Sequence, residues 1–290
     1  MGEKKLTIEW KGKIIDFSKK TFIMGILNVT PDSFSDGGKF VDLGKAVEQA
    51  TKIQEEGADI IDIGGESSRP GAKSVPLEVE LSRVIPVIEA IAKKVKILLS
   101  IDTMKAKVAE VALSEGAEMI NDVSALRFDP KMAPLVAMSK SPVVLMHMRG
   151  TPQSMQTNIH YNNLILEIKN FFQERISFAE MNGIEPTGII IDPGIGFGKS
   201  IAKDNFSILK NLEEFKSFEK PILVGPSRKA FLGHLLDLPI DDREEVTAAA
   251  VAVAVMNGAN LVRVHDIKKM KRVVQVVDAI KMAEPFMSKE

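Results

Sequence analysis

Residues fit for chemistry recur in this chain at one kind of place, directly after a short apolar run. Phe22–Leu27 is such a run, with the length and texture of a buried strand. A polar, turn-rich segment follows it at once, NVTPDSFSDGG, from Asn28 to Gly38. IIDIGGESSRPG over 60–71 repeats the design. Read in order, the residues that leave these runs are Asn28; Gly64-Gly65-Glu66-Ser67-Ser68-Arg69; Asp102; Asn121-Asp122; His147-Met148-Arg149; Asp192; Ser227-Arg228-Lys229; and Arg263-Val264-His265-Asp266. Carboxylates, amides, hydroxyls and cations of this mix bind a small polar molecule and handle charge. Taken singly, each has a plain explanation; Asp102, before Thr103-Met104, could equally cap a helix. Eight such exits in succession are not explained by capping.

Two further patterns invite a more specific reading. Asp192 opens DPGIGFGKS, 192–200, but Pro193 stands where a Walker A loop needs Gly, and Lys199 where a dinucleotide fingerprint needs its third Gly. The segment reads instead as a Gly-rich loop over a small ligand, with Phe197 either an apolar contact to that ligand or ordinary packing. The four histidines, His147, His160, His234 and His265, share no ligand spacing on one element, so no structural metal site is expected. A Mg²⁺ shared with a phosphate needs only one or two protein oxygens, and Asn28 could supply one.

The elements that would position these residues are short and regular. The spacing predicts eight strands, Phe22–Leu27, Ile60–Ile63, Ile97–Ile101, Met119–Asn121, Val143–Met146, Gly188–Ile191, Ile222–Val224 and Leu261–Val264. They are apolar on both faces without alternation, the texture of parallel strands covered on both sides. Helical patterns fill the gaps: Asp42–Glu56, Leu77–Lys93, Ala106–Ser114, Pro130–Met138, Tyr161–Met181, Asp204–Phe215, Arg243–Met256 and Lys268–Met282. The turns EGAD, EGAE and NGAN share a helix-to-strand form, with Gly57, Gly116 and Gly258 as caps. Eight βα units in an unbroken run predict an α/β fold of the (β/α)8 TIM-barrel type, whose site lies at the carboxyl ends of its strands. KLTIEWKGKIIDF, 5–17, predicts a β-hairpin around Lys11-Gly12 that plugs one end of the core. One domain is expected over 1–290, with the hairpin within 1–18 and the barrel over 20–282.

Composition narrows the function classes. The 290 residues carry 38 basic and 39 acidic side chains, a balance without the excess that nucleic acid would call for. No cysteine is present, which removes disulfides and thiolate metal sites. The first residues lack the apolar stretch of a signal peptide, and Leu6 stands where a myristoylation signal needs Ser or Thr. No apolar run approaches the roughly 18 residues of a membrane span. A soluble cytoplasmic protein with no membrane or nucleic-acid partner is expected.

The ordered motifs resemble dihydropteroate synthase, the folate-pathway family that sulfonamides inhibit. The resemblance covers about residues 20–280 and rests on GILNVTPDSFSDGG, DIGGESSRPGA, SIDT, INDVSA, VLMHMRGTP, IIDPGIGFGK, GPSRKAFLG and RVHD. Ser68 departs from it, since the family usually has Thr there; the hydroxyl is kept and a methyl is lost. The family joins 6-hydroxymethyl-7,8-dihydropterin diphosphate to p-aminobenzoate, releasing 7,8-dihydropteroate and pyrophosphate.

What the resemblance implies can be set out residue by residue. The pterin is held by Asp102, Asn121, Met146, Asp192, Phe197, Gly225, Lys229 and Arg263; Met146 could equally be plain strand core. The diphosphate meets Asn28, Arg69, Arg263 and His265, with Arg69 joining when its loop closes and otherwise solvated. The ends of strands one and eight are neighbours in a closed barrel, which agrees with that grouping. Ser68, Pro70, Phe197, Ser227 and Lys229 would form the p-aminobenzoate pocket. Catalysis would fall to Asp102, Lys229, Arg263 and Asp32, along an SN1-like path, with Mg²⁺ as cofactor and Asn28 as its ligand. A homodimer through the last helices is implied, although the apolar run within Val246–Met256 could instead lie in the barrel wall. Two other readings are a methyltetrahydrofolate:corrinoid methyltransferase and a non-catalytic pterin-binding paralogue. The first would not need the RPG loop, the SRK motif or the RVHD anion site, and the second would be expected to lose Lys229, Arg69 or Asp32.

Overall fold

The computed structural model describes residues 6–10, 12–30 and 42–283. Strands β1 (Thr7–Trp10) and β2 (Lys13–Asp16) pair as an antiparallel hairpin, Thr7 opposite Asp16. Eight parallel strands follow: β3 (Phe22–Asn28), β4 (Ile60–Gly64), β5 (Leu98–Asp102), β6 (Met119–Asp122), β7 (Val143–Met146), β8 (Ile189–Asp192), β9 (Leu223–Val224) and β10 (Leu261–Val264). The sheet order is β8-β7-β6-β5-β4-β3-β10-β9. A parallel bridge between Ile191 and Ile222 joins its two ends, and Ile191 N–H donates to Pro221 O at 3.0 Å. The sheet thereby closes as the (β/α)8 barrel that the run of βα units predicts.

Helices α1 (Leu43–Glu55), α2 (Leu77–Ala92), α3 (Ala106–Ser114), α4 (Met132–Ser139), α5 (Leu164–Met181), α6 (Asp204–Lys210), α7 (Ala230–Leu236), α8 (Glu244–Met256) and α9 (Ile267–Met282) surround it. Three of the entries are capped as expected of Asx residues: Asp42, Asn163 and Asp266 accept from the backbone N–H groups of Lys45, Leu166 and Lys269. The shared helix-to-strand turn is real. Gly57, Gly116 and Gly258 take φ of +96°, +121° and +111°. The alanine after each, Ala58, Ala117 and Ala259, donates back to Ile53, Ala112 and Ala254. This left-handed cap satisfies helix carbonyls while turning the chain into the next strand.

Strand side chains divide into layers. Outward positions such as Ile61, Ile63, Leu99, Ile101, Leu145, Ile191 and Val262 pack under the helices. The first inward layer, Met24, Ile60, Met119, Val144, Ile190, Leu223 and Leu261, is apolar and closes on Ile8, Trp10 and Phe17 of the hairpin region. The hairpin thus plugs the amino-terminal end of the barrel. One step up, five of the eight strands carry polar inward residues, Asp62, Ser100, Asn121, Asp192 and Arg263, while Ile26, Met146 and Gly225 stand on the other three. Alternation is therefore present, in the upper half of the barrel only. It was hidden in the sequence because the lower inward layer is as apolar as the outer face.

Several boundaries differ from the spacing. The segment predicted as one helix over Asp204–Phe215 breaks at Asn211 into α6 and a 3₁₀ stretch, Leu212–Phe218. Asn211 is where the last turn closes, and its side-chain amide back-bonds to Ser207 O at 2.8 Å. Tyr161 lies outside α5, which starts only after the Asn163 cap. Helix α7 was not predicted; it is short and starts at once after the SRK turn.

Candidate functional site

One cavity at the carboxyl ends of the strands is lined by Ile26, Ser68, Asp102, Asn121, Val123, Met146, Asp192, Phe197, Gly225, Ser227, Lys229, Arg263 and His265. Asp102, Asn121, Asp192, Lys229 and Arg263, drawn from five strand exits, thus converge on a single mouth. Strand register explains part of this: Asn28 lies opposite Gly64, Gly64 opposite Asp102, and Asp102 opposite Asn121.

Arg263 is held by two carboxylates. It sits lower on β10 and reaches upward between two carboxylates. Its Nε donates to Asp62 Oδ2 at 2.6 Å and its Nη2 to Asp102 Oδ2 at 2.9 Å. Burial works against the Arg263 charge, but Asp62 and Asp102 outweigh it and raise its pKa. The plane of the guanidinium is thereby fixed before any ligand arrives, which an ammonium could not achieve. Asp102 pays for its position: burial raises its pKa, Arg263 opposes the shift, and Asp62, Glu80 and Asp122 add to it.

Asp62 was given no role from the sequence, yet it organises the mouth from below. It is fully buried, and its Oδ2 also accepts from Asn121 Nδ2 at 2.9 Å. One of the two Asn121 amide hydrogens is therefore given to Asp62, which fixes the orientation of the amide at the cavity wall. The signal for Asp62 was available: a carboxylate inside the apolar run IIDIGG, on the same face as Gly64 by the two-residue period.

Asp192 is held from behind. Gly194 N–H donates to its Oδ1 at 2.7 Å, and its backbone oxygen accepts from His147 N–H at 2.8 Å. Burial raises its pKa, with nearby Lys229 pulling the other way. The Gly-rich loop then curls back on itself. Lys199, also without an assigned role and fully buried, donates to His147 O at 2.9 Å and lies 2.7 Å from His147 Nδ1. Gly194, with φ +70°, is required here, since a Cβ would lie 2.0 Å from His147 O. His147 itself faces this anchor and is absent from the cavity lining, with its pKa lowered by burial and then by Lys199. Asp122 is likewise turned away: its carboxylate accepts from Ser124 N–H, Ser124 Oγ–H and Leu126 N–H, bracing the left-handed pair Ala125 and Leu126.

Lys229 is aimed by the SRK turn. Arg228 adopts φ +57°, an uncommon conformation for any residue with a Cβ, and is held there by bonds to Thr247, Glu244 and Arg243. Lys229 Nζ then reaches the carbonyl of Ile195 and lies 4.6 Å from the Phe197 ring centroid. Burial lowers its pKa to about 8, partly offset by Asp192. Gly225 leaves room beside Arg263, whose Cβ would lie 3.6 Å from a Cβ at that position.

His265 and Ser227 share the rim, with Ser227 Oγ 2.9 Å from His265 Nδ1. Burial, then Arg263, Arg228, Arg69 and Lys229, lower the His265 pKa to about 3. These cations make the surroundings of the imidazole electropositive. Arg69 and Pro70 are exposed and stand outside the cavity lining. Their loop docks elsewhere, with Gly71 N–H donating to Pro152 O at 3.0 Å. Asn28 is half-buried at the end of β3. Asp32 lies outside the described residues.

The chain resembles known proteins along nearly its whole length. A family model described as pterin binding enzyme matches residues 24–265. The dihydropteroate synthase of Synechocystis sp. is 48% identical over 269 residues, covering 92% of each chain. Among solved structures, a Yersinia pestis dihydropteroate synthase with a sulfonamide drug complex superposes with a TM-score of 0.90 at 42% identity, over 96% of this chain and 100% of that one. A Xanthomonas albilineans dihydropteroate synthase with 4-aminobenzoic acid gives a TM-score of 0.89 at 42% identity, over 97% and 100%.

Proposed function

Since the chain belongs to the pterin-binding enzymes and, within them, to the dihydropteroate synthases, we propose that its mouth joins 6-hydroxymethyl-7,8-dihydropterin diphosphate to p-aminobenzoate, releasing pyrophosphate, in folate biosynthesis. The observation that carries this reading is the convergence of Asp102, Asn121, Asp192, Lys229 and Arg263 on one cavity, with Arg263 locked between two carboxylates.

In this reading the barrel domain supplies the whole site. The pterin enters edge-on. Its N3–H and 2-amino group donate to Asp192, whose buried carboxylate is braced by Gly194. Asn121 Oδ1 accepts along the same edge, because Asp62 holds its amide nitrogen. Lys229 leaves the Ile195 carbonyl for the O4/N5 side of the ring. The Arg263 plane stacks on one ring face in the space that Gly225 leaves open, and Met146 packs on the other. Phe197, Ser68, Pro70, Lys229 and Ser227 bound the p-aminobenzoate pocket once the exposed second loop swings in. Asp32 of the NVTPDSFSDGG segment would add a catalytic carboxylate.

The diphosphate lies toward Arg263 and His265, with Asn28 beside them and Arg69 arriving on loop closure. Mg²⁺ accompanies it. A Mg²⁺ held on a phosphate takes most of its ligands from phosphate oxygens and water. Asn28 would give it one protein oxygen, and the ion would neutralise leaving-group charge when bound.

p-Aminobenzoate is a neutral aniline at pH 7 and needs no general base to act as nucleophile. The barrier lies in breaking the C–O bond to the diphosphate, so the path is SN1-like. The bonding electrons leave with pyrophosphate, and the cation left on the pterin is stabilised by the Asp102 carboxylate. The aniline nitrogen then attacks the methylene carbon and loses its proton to water.

We further propose a homodimer. Helices α8 and α9 leave Val253, Met256, Val276, Ile280 and Met282 exposed, an apolar face that suits a second copy. A diphosphate does not cross a bilayer unaided, so the enzyme works where its substrate is made, which we take to be the cytoplasm.

Incubation with the pterin diphosphate, p-aminobenzoate and Mg²⁺, followed by pyrophosphate detection, tests the activity. Lys229→Ala should reduce kcat/KM about 100-fold, on the scale of losing one charged transition-state contact; near-normal turnover would remove Lys229 from its role.

A further inference from the structure

We infer that Ser227 is a positioning residue that fixes His265 as its Nε2–H tautomer, so that a neutral N–H donor, and not a lone pair, is presented to the departing diphosphate. The inference rests on the reading of His265 as a diphosphate contact.

Ser227 is buried, at 5% exposure, three residues beyond β9. Its Oγ accepts from the backbone N–H of His265 at 3.2 Å and lies 2.9 Å from His265 Nδ1. Among the described residues these are the hydroxyl's hydrogen bonds. A hydroxyl has one proton to give. Were Ser227 to accept from Nδ1–H as well, its own proton would point to the open mouth with no protein acceptor among the described residues, and a bond to His265 would be forgone. The arrangement that satisfies every group has Ser227 Oγ–H donating to an unprotonated Nδ1. The ring proton then sits on Nε2.

The consequence is chemical. Burial and the surrounding Arg263, Arg228, Arg69 and Lys229 keep the imidazole neutral, with a pKa lowered to about 3. A neutral imidazole can offer an anion either a donor or a lone pair, according to its tautomer. With Nδ1–H, the Nε2 lone pair would face phosphate oxygens and repel them. With Nε2–H, His265 adds a hydrogen bond to the charge that Arg263 provides. Ser227 decides between the two through one hydroxyl, and the left-handed turn at Arg228 keeps that hydroxyl in place.

Nitrogen-15 NMR of the histidine-labelled enzyme, with and without pyrophosphate, tests this. The expected spectrum has His265 in the Nε2–H form, with its Nε2 signal shifted by pyrophosphate. Ser227→Ala should populate the Nδ1–H form and weaken pyrophosphate about tenfold, the scale of one hydrogen bond to a charged group. Ser227→Thr, which keeps the hydroxyl, should restore both. Wild-type His265 found as Nδ1–H overturns the inference. So does Ser227→Ala that raises the KM of p-aminobenzoate while leaving pyrophosphate affinity intact, because Ser227 would then serve the second substrate alone. A His265 signal indifferent to pyrophosphate defeats the diphosphate reading and this inference with it.

Discussion

Asp62→Asn changes two atoms' chemistry and almost no volume, at a residue that no ligand needs to touch. Asp62 Oδ2 accepts from Arg263 Nε at 2.6 Å and from Asn121 Nδ2 at 2.9 Å. A hydrogen bond to a charged group contributes about 1.5–3 kcal/mol and a neutral one about 0.5–1.5 kcal/mol, so two weakened bonds cost about 2–3 kcal/mol. The new amide nitrogen takes the place of Asp62 Oδ1, a buried atom without a hydrogen-bond partner among the described residues, and gains none there. The total should lower Tm by about 5 °C, since each kcal/mol moves a chain of this size by roughly 2 °C. Asn121, with a weaker hold on its nitrogen, should present the wrong amide face part of the time, weakening pterin about tenfold. Scanning calorimetry and titration with a pterin lacking the diphosphate measure both. Ser100→Ala is the control: Ser100 lies opposite Asp62, its buried Oγ has no partner among the described residues, and its loss should leave Tm unchanged or slightly raised. An Asp62→Asn enzyme with wild-type Tm and wild-type pterin affinity would refute the view that the mouth is preset from below.

Other perturbations reach different parts of the site. Lys229 holds its proton less tightly in the folded chain than unfolded, so its burial opposes folding below pH about 8, and this penalty fades as pH rises toward the ordinary lysine value. If the ammonium form acts, kcat/KM should fall above pH about 8, and Lys229→Arg should abolish that alkaline limb; an unchanged limb would clear Lys229. Gly194→Ala should cost about 3 kcal/mol, from left-handed strain and the collision with His147 O, visible as a Tm loss of about 6 °C and weakened pterin binding. Lys105→Met strands fully buried Glu80, which now meets Lys105 Nζ and Thr103 Oγ at 2.6 Å each. Loss of about 3–4 kcal/mol is expected. Burial already raises the Glu80 pKa, so the deficit should be smaller at pH 5 than at pH 8, where the carboxyl must stay charged.

Most of the barrel was legible because its signals are local. Short apolar runs, Gly caps such as Gly57 and polar exits such as Asp192 each declare themselves within a few residues. The polar residues that line the mouth, Asp102, Asn121, Asp192, Lys229 and Arg263, stand out in the same way, since they sit at or near the exits. What escaped were the side chains that act on other side chains. Asp62 sits mid-strand, 201 positions from Arg263 in the chain, and only closure of the barrel brings them together. Lys199 reads as the end of a loop until the loop folds back on His147. The roles of Asp122 and His147 escaped for the converse reason: both stand at exits, but local turns direct them away from the mouth. Loop geometry, set by left-handed residues such as Arg228 and Ala125, has no reliable signature in residue type.

Whether a pterin is gripped edge-on in this mouth is decided by the structure of the chain bound to 6-hydroxymethylpterin diphosphate. The expected complex has Asp192 and Asn121 within about 3 Å of the pyrimidine edge, the Arg263 guanidinium parallel to the ring, and the diphosphate against His265. A pterin bound elsewhere, or seated with its diphosphate toward Asp192 and its edge toward His265, would contradict it.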